Sequence, residues 1–572
     1  MMKSESDLEK LRHSAAHLLA HAIKELFPKA KPTIGPATST GFFYDFLPQQ
    51  NFKDEDLPLI ETKMSEIAQR NLPIVHKQIS KQKARNIYKD NPFKLELIDQ
   101  IPNETVGIAE QGNFFDLCKG GHVESTGQIK HIKLLNISGS YWRADKNNQA
   151  LQRITGTAFF TQKDLDRFLQ QQQDLIKYDH RRLGKELDLF SFHEEGVGFP
   201  FFHANGKTII TILTNYIRSL IKKAHYKEIS TPIMLRDELW KQSGHYDHYK
   251  NHMYFCVKEE KVYAIKPMNC PGAILIYQER PHSYRELPLR LAEFGLVHRY
   301  ELSGVLHGLF RTRAFTIDDG HIFCTEEQIE QEVANTITMT YEVFRQFDFQ
   351  NITVGISTKP ENAMGSDALW EKATNALKYA LDNRGHAYEI YEGEGAFYGP
   401  KIEFRIEDSM GRTWQCGTIQ IDFFLPENFD LSYIQPDGTK ARPVLIHRAI
   451  YGSFERFFAI LLEHYKGNFP FWLAPVQVKV LTITDDQKEY AQIVTQELNN
   501  NGIRVVLNES SDPVAGQIKT AQLQRIPWMI IIGKKEVAMN TVAIRYRDGK
   551  QEFGLSIKDI LEKAKEFNTT SS

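Results

Sequence analysis

Between Leu296 and Phe323 the chain reads LVHRYELSGVLHGLFRTRAFTIDDGHIF: two runs with strand-type alternation around a segment carrying Ser303, Gly304 and, a little later, Gly308. The pattern predicts strand, loop, strand. Side chains on a strand repeat every second residue, so Arg299 and Glu301 share a face of the first run, and Phe315, Ile317, Asp319 and His321 share a face of the second. One hairpin thereby aims cations, carboxylates, an aromatic ring and an imidazole at a single place. A guanidinium is a rigid fork of donors suited to phosphate, and such groups fixed before reaction stabilise charge that develops in phosphoryl chemistry. A nucleotide site is the expectation. Surface ion pairs on an ordinary hairpin would explain any two of these residues, but not so many on one loop.

A chain of 572 residues is too long for one core, so about three domains are expected. With a formal net charge of -2, any nucleic-acid partner must be held by local basic patches and not by a global positive field. The five cysteines, Cys118, Cys256, Cys270, Cys324 and Cys416, are odd in number and scattered, which argues against a disulfide framework and for a reducing compartment. The N-terminus has no apolar leader core, and no run approaches the roughly 20 apolar residues that span a bilayer. No membrane association and a cytoplasmic location are expected.

RYE, GLFRTRAF and DDGHIFC resemble motif 2 of the class II aminoacyl-tRNA synthetases, and in detail that of the threonyl-tRNA synthetase family; the resemblance runs along essentially the whole chain. It implies a multidomain α+β protein: an N-terminal α+β editing domain over 1–160, a linker helix over 161–184, a catalytic core built on an antiparallel sheet over 185–472, and an α/β anticodon-binding domain over 473–572. Many bacterial relatives carry a further small domain before the editing helix, for which this sequence has no room.

Near the N-terminus, Leu11, Leu18, Leu19, Ile23 and Leu26 recur at helical spacing, with His13, His17 and His21 one turn apart on one face. Downstream, DLCKGGHVESTG supplies Cys118 and His122 around a Gly-Gly turn. By spacing alone these form a plausible four-ligand zinc set or a solvated histidine face. The resemblance implies a third use: His13, His17, Cys118 and His122, with Asp116 beside them and Lys94 as a further candidate, hydrolyse mischarged seryl-tRNA without a bound metal. The family usually reads CRGPH where this chain has CKGGH. After Thr161, a capping residue, a helix is expected to run through the glutamines to Lys177, His180, Arg181, Arg182 and Lys185, a basic end near a phosphate backbone or simply solvated.

The run ending in Thr231 and Pro232 resembles motif 1, which implies a homodimer interface. Cys270 in KPMNCPG, His321 and His447 are too far apart for spacing to join; the resemblance joins them as three ligands of one zinc per chain, leaving the open position that a catalytic zinc requires. Ala273 stands where the family usually has histidine. The resemblance further implies that Arg299 holds the α-phosphate, Glu301 the adenine amine, and Arg311 and Arg456 other parts of ATP. Phe315, Gln415, Thr418 and Gly452 also belong to the ATP site. Met268, Asp319, Tyr398, Lys401 and Gln420 line the amino-acid pocket, and His245 assists transfer. IHRAIYGSFERFFAILLEHY, read as helix-capable, resembles motif 3. On the strand RTWQCGTIQIDFF, alternation puts Cys416, Thr418, Gln420 and Asp422 on one face and Gln415, Gly417 and Ile419 on the other.

From Ala474 strands and helices alternate, as in a small α/β domain with a largely parallel sheet. Arg525, Glu536 and Arg545, with Lys519, are candidates for anticodon contact; the loop from Ser510, SSDPVA, departs from the family's RNEKIG. The implied function is a threonine:tRNA ligase that uses L-threonine, ATP and Mg2+, charges tRNA(Thr) and clears seryl-tRNA. Two rivals remain: a synthetase-derived RNA-binding regulator without charging activity, and a related ligase for serine or proline.

Overall fold

The structure is a computed structural model that describes residues 4–361, 363–510 and 512–568. It divides into two compact units, Met1–Gln173 and Asp174–Ser572. The division falls inside the helix Gln162–Lys177, where a domain limit at residue 160 is expected from sequence.

In the first unit the helix Glu5–Leu26 begins at Ser4, whose hydroxyl accepts from the Asp7 amide in a capping box. Leu11, Leu18, Leu19 and Ile23 are buried together with strand residues Phe42, Tyr44, Ile154 and Ala158. The four-stranded sheet beneath runs Lys31–Pro32, Phe42–Leu47, Ala150–Phe159, His131–Tyr141. A second, three-stranded sheet pairs Thr105–Gln111 with both Ile74–Ser80 and Phe114–Leu117, and Cys118 follows directly from its last strand. Helical spacing is expected to continue to the basic cluster, but the linker helix stops at Lys177 and a second helix, His180–Glu186, starts from the Asp179 cap.

The second unit is organised on an eight-stranded sheet in the order Lys227–Glu228, Leu289–His298, Ala314–Cys324, Val444–Ser453, Thr413–Asp422, Lys401–Glu407, Ile352–Ser357, Glu389–Tyr391. Its six central strands are antiparallel and each edge pair is parallel. Helices Ala204–Lys223, Ile329–Gln346, Asp367–Asp382 and Phe454–His464 bury their apolar stripes with Ile419, Ile421, Ile446 and Ile450. The motif 3 segment is therefore strand through Ser453 before it becomes helix. Nearly every residue over 444–450 is buried, so the strand lacks the apolar–polar alternation that would tell it from the helix that follows.

Within that unit, residues from Val478 onward build a five-stranded sheet with its own core. Val505–Leu507, Val478–Thr482 and Trp528–Ile532 are parallel, and Val542–Tyr546 and Gln551–Leu555 add an antiparallel hairpin. The sheet is more mixed than the alternating pattern implies.

Candidate functional site

The strands Leu289–His298 and Ala314–Cys324 pair antiparallel from Leu289↔Phe323 to His298↔Ala314. Arg299 and Glu301 thus lie just beyond the first strand, at the foot of a loop, and not on the strand as alternation suggests. Arg299 stays tied to the hairpin, its amide donating to the Arg313 carbonyl at 2.9 Å.

Register carries the side chains of four strands into one transverse row: His321 faces His447, His447 faces Gln420, and Gln420 faces Lys401. One level along, Asp319 faces Ala449, which faces Thr418. Two irregularities bend this order. Between Ile317 and Asp319 the partner strand advances from Ser453 to Ala449, and the extra backbone is gathered by Asp318, whose carboxylate accepts from the amides of Ile450, Tyr451 and Gly452 at 2.9, 3.2 and 3.0 Å. Burial pushes the Asp318 carboxyl up to about 7. A second bulge between Glu403 and Arg405 lets Gln415 line the same cavity as Thr418 and Gln420, against the opposite faces that strict alternation gives them.

The cavity above these rows measures about 470 Å3. Its walls include Met268, Cys270, Arg299, Glu301, Arg311, Phe315, Asp319, His321, Tyr398, Gln415, Thr418, Gln420, His447, Gly452 and Arg456. Ile317 also lines it, as do Phe310, Thr312 and Cys416, which sequence reasoning did not single out. Lys401 is not on the wall and pairs with Glu403 at 2.6 Å. Nor is His245, which lies behind it, with Nε2 3.1 Å from Met268 Sδ and 3.6 Å from Cys270 Sγ.

At one end of the cavity, Arg311 pairs with Glu301 at 2.8 Å, and the Arg299 guanidinium lies 5.1 Å from the Phe315 ring centre. Arg456 Nε donates to the Phe310 carbonyl at 3.2 Å. Gly452 has φ +81, and a Cβ there would stand 2.9 Å from the Cys416 carbonyl oxygen, so this turn excludes side chains.

At the other end, the ligand atoms of Cys270, His321 and His447 lie within 4.8 Å of one another, all buried. The donor set suits a metal. Both ring nitrogens of His321 are buried without a hydrogen-bond partner, and a metal ion on the lone-pair nitrogen would relieve one of them. His447 Nε2 is 2.9 Å from Asp422 Oδ2, leaving Nδ1 its lone pair, the carboxylate–histidine arrangement that accompanies metal ligands. Burial lowers the His321 imidazole to about 4, keeping it neutral, and pushes the Cys270 thiol well up, with Asp319 and Asp422 adding to the effect. Asp319 is held by Asn269 Nδ2 at 2.9 Å, a partner with no signal in the sequence beyond its place before Cys270.

The first unit carries the second cluster. Cys118 Sγ lies 2.9 Å from His122 Nε2 and 3.7 Å from His13 Nε2, which is 3.3 Å from His17 Nε2. His17 Nδ1 is 3.3 Å from Asp116, which Tyr44 and Lys94 also hold, Lys94 by a buried ion pair. Against the upward push of burial, Lys94 and His17 keep the Asp116 carboxyl below its usual range. Burial lowers His17 to about 4 and His122 to about 2, and raises the Cys118 thiol. The tautomer of His122 follows from Ser14: its hydroxyl donates to the Lys10 carbonyl, so it accepts from His122 Nδ1–H at 3.2 Å, leaving the Nε2 lone pair toward the thiol. The four donors also lie within 4.8 Å, so they could hold a metal as well as move a proton. His21 stacks on Phe114, outside this cluster. Gly120 and Gly121 have φ +103 and +84, and proline, fixed near −65°, cannot stand at 121 in this turn.

Of the anticodon candidates, Glu536 accepts from the Gly533 amide at 2.9 Å as a helix cap, Arg525 occupies a left-handed turn, and Arg545 Nε is buried without a partner. Lys519 is exposed. Ser511 lies outside the described residues.

Residues 254–465 match the family described as tRNA synthetase class II core domain (G, H, P, S and T), and residues 477–567 match the anticodon binding domain. Residues 106–155 match the threonyl and alanyl tRNA synthetase second additional domain. The chain is 51% identical over 556 residues to a threonine–tRNA ligase of Clostridium tetani, covering 97% of this chain and 87% of that protein. It is likewise 51% identical over 562 residues to one of Carboxydothermus hydrogenoformans, covering 97% and 88%. Among solved structures, the RNA binding domain of threonyl-tRNA synthetase from Cryptosporidium parvum is similar with a TM-score of 0.66 and 41% identity, over 68% of this chain and 98% of that one.

Proposed function

This chain belongs to the threonine–tRNA ligase family, and from that premise we propose how its residues divide the work. The enzyme is a class II ligase that uses ATP and Mg2+, carries an anticodon-binding domain and an editing-type domain, and has tRNA as its partner. Nothing in the sequence relatives favours the regulator without charging activity. No helix among the described residues is long and apolar enough to cross a membrane; a cytoplasmic location rests on the family's resemblance alone.

The observation that carries the residue assignments is the transverse row His321, His447, Gln420, opening on the same cavity as Arg299, Arg311 and Arg456. In this reading Arg299 holds the α-phosphate, Glu301 the adenine amine, and Arg311 and Arg456 the remaining nucleotide, with Phe315 and Arg456 on the two faces of adenine. Cys270, His321 and His447 hold one zinc, which when bound supplies open coordination for the amino group and β-hydroxyl of L-threonine. Asp319, fixed by Asn269, accepts from that hydroxyl. Valine, equal in shape, leaves Asp319 without its donor, and a site built for a hydroxyl rejects its absence strongly. Tyr398 and Gln420, joined at 2.5 Å, wall the pocket, and His245 assists transfer to the ribose.

Serine keeps the hydroxyl and lacks only a methyl, a difference of roughly 1–3 kcal/mol and too little for accurate decoding. The first unit supplies the remedy: His13, His17, Cys118 and His122, oriented by Asp116, hydrolyse seryl-tRNA. A homodimer is supported by the segment after Thr231, where Ile233 and Met234 are 43% and 48% exposed, an apolar edge suited to a second copy. ATP–pyrophosphate exchange across a panel of amino acids tests the whole reading: exchange with threonine is expected, and exchange with none would overturn it.

A further inference from the structure

The loop between Arg299 and Arg313 carries the residues assigned to ATP, yet Leu302, Ser303, Gly304 and Val305 at its outer end are exposed. A loop of this kind is mobile unless something inside fixes it. Within the loop, Leu309, Phe310 and Thr312 are buried. What meets it there is His180, fully buried although the sequence groups it with the exposed Arg181 and Arg182. The Leu309 amide donates to His180 Nε2 at 3.0 Å, and the ring packs edge-on to Phe310 at 4.3 Å. On its other side His180 Nδ1 meets Glu463 Oε1 at 2.7 Å, and the His180 amide donates to the same oxygen at 2.8 Å. Glu463 Oε2 is held by Arg412, which also pairs with Asp408. Trp414 stacks on Phe310 at 4.1 Å from the same side.

We infer that His180 is a positioning residue for nucleotide binding: Glu463 fixes its Nδ1–H tautomer, and the Nε2 lone pair anchors the loop through the Leu309 amide so that Arg311 is presented to ATP. His180 does not line the cavity. With both nitrogens engaged, the ring has no lone pair left for a cation, although Asp179, His180 and Glu463 stand close enough to hold one. Gly308 makes the approach possible. It has φ +50, and a Cβ there would stand 2.1 Å from His180 Nε2. The inference rests on the ATP site proposed above.

Two substitutions separate the nitrogens. His180→Asn places an amide near the Nδ1 position and nothing at Nε2; His180→Gln reaches the Nε2 position. In ATP–pyrophosphate exchange, His180→Asn should raise the ATP KM roughly tenfold, as loss of one buried hydrogen bond predicts, with the threonine KM within about twofold of wild type. His180→Gln should restore much of the ATP KM. An ATP KM unchanged in folded His180→Asn overturns the inference, as does a parallel rise in both KM values. If the His180 variants do not fold, Gly308→Ala reports on the same contact from the loop side: a raised ATP KM supports the anchor and an unchanged one overturns it. Failure of the wild type to exchange would instead strike the ligase reading itself.

Discussion

Asp422 Oδ2 stands 2.9 Å from His447 Nε2, while its other oxygen accepts from the amides of Phe424 and Leu425 at 2.7 and 3.0 Å. A carboxylate so tied cannot turn away, and the His447 ring is therefore fixed in plane and tautomer before any metal arrives. Metal analysis should find about one zinc per chain, lost in His321→Ala. Asp422→Asn should keep the fold and weaken zinc binding by about 10- to 100-fold in competition with a chelator. Equal zinc in wild type and His321→Ala would move the metal to the cluster around Cys118.

Cys118 belongs to the first unit, whereas the residues that line the cavity around Arg299 belong to the second. Cys118→Ala should leave threonine-dependent pyrophosphate exchange within about twofold while seryl-tRNA deacylation falls by about a hundredfold or more, as loss of a group at a reacting centre does. Deacylation at the wild-type rate would remove this cysteine from the hydrolytic role.

Ile317 lines the cavity beside Asp319. A glutamine at this place would offer the substrate an amide where isoleucine offers only a dry wall. Ile317→Gln should lower the threonine KM, by up to the roughly 1.5–3 kcal/mol of a hydrogen bond to a charged group, with valine still rejected by Asp319. An unchanged KM in a destabilised protein would assign Ile317 to packing alone.

Glu455 is buried and accepts from the Thr316 amide at 2.9 Å, and burial raises its carboxyl from 4.5 to about 8. The folded state then holds a proton that the unfolded state has released, so this group's contribution is fully present below about pH 4.5 and is lost as pH rises through about 8. Glu455→Gln mimics the protonated form. Its thermal midpoint should gain on wild type steadily from about pH 5 to 8, the single-group limit being about 1.4 kcal/mol per pH unit. A constant difference across that range would mean Glu455 is ionised throughout.

The hairpin, the long N-terminal helix and the alternation of the last hundred or so residues were legible because each has a period that burial enforces. The metal and editing clusters could be joined only through resemblance, since Cys270, His321 and His447 meet by register alone. Three features stayed hidden for physical reasons. Two extra residues between Ala449 and Ser453 and one between Gln415 and Thr418 change the register, the single one also resetting which face Gln415 occupies, and such short insertions leave no compositional trace. His180 sits among basic neighbours and only its partner Glu463, far along the chain, takes it inside. Glu536 is a candidate RNA contact whose carboxylate also closes a helix end, a second use that its sequence neighbours do not announce.

The row of His321, His447, Gln420 and Lys401 crosses strands that leave the ribosome at very different times. The hairpin ending at Cys324 is synthesised well before Val444–Ser453, the strand that must slot between it and Thr413–Asp422. Until that last strand inserts, no partly made chain possesses the row, and the amino-acid pocket proposed to rest on it cannot form. Completion of the sheet's middle is then the event that assembles the row, and a metal ion that bound only the finished row would act as a latch on late folding.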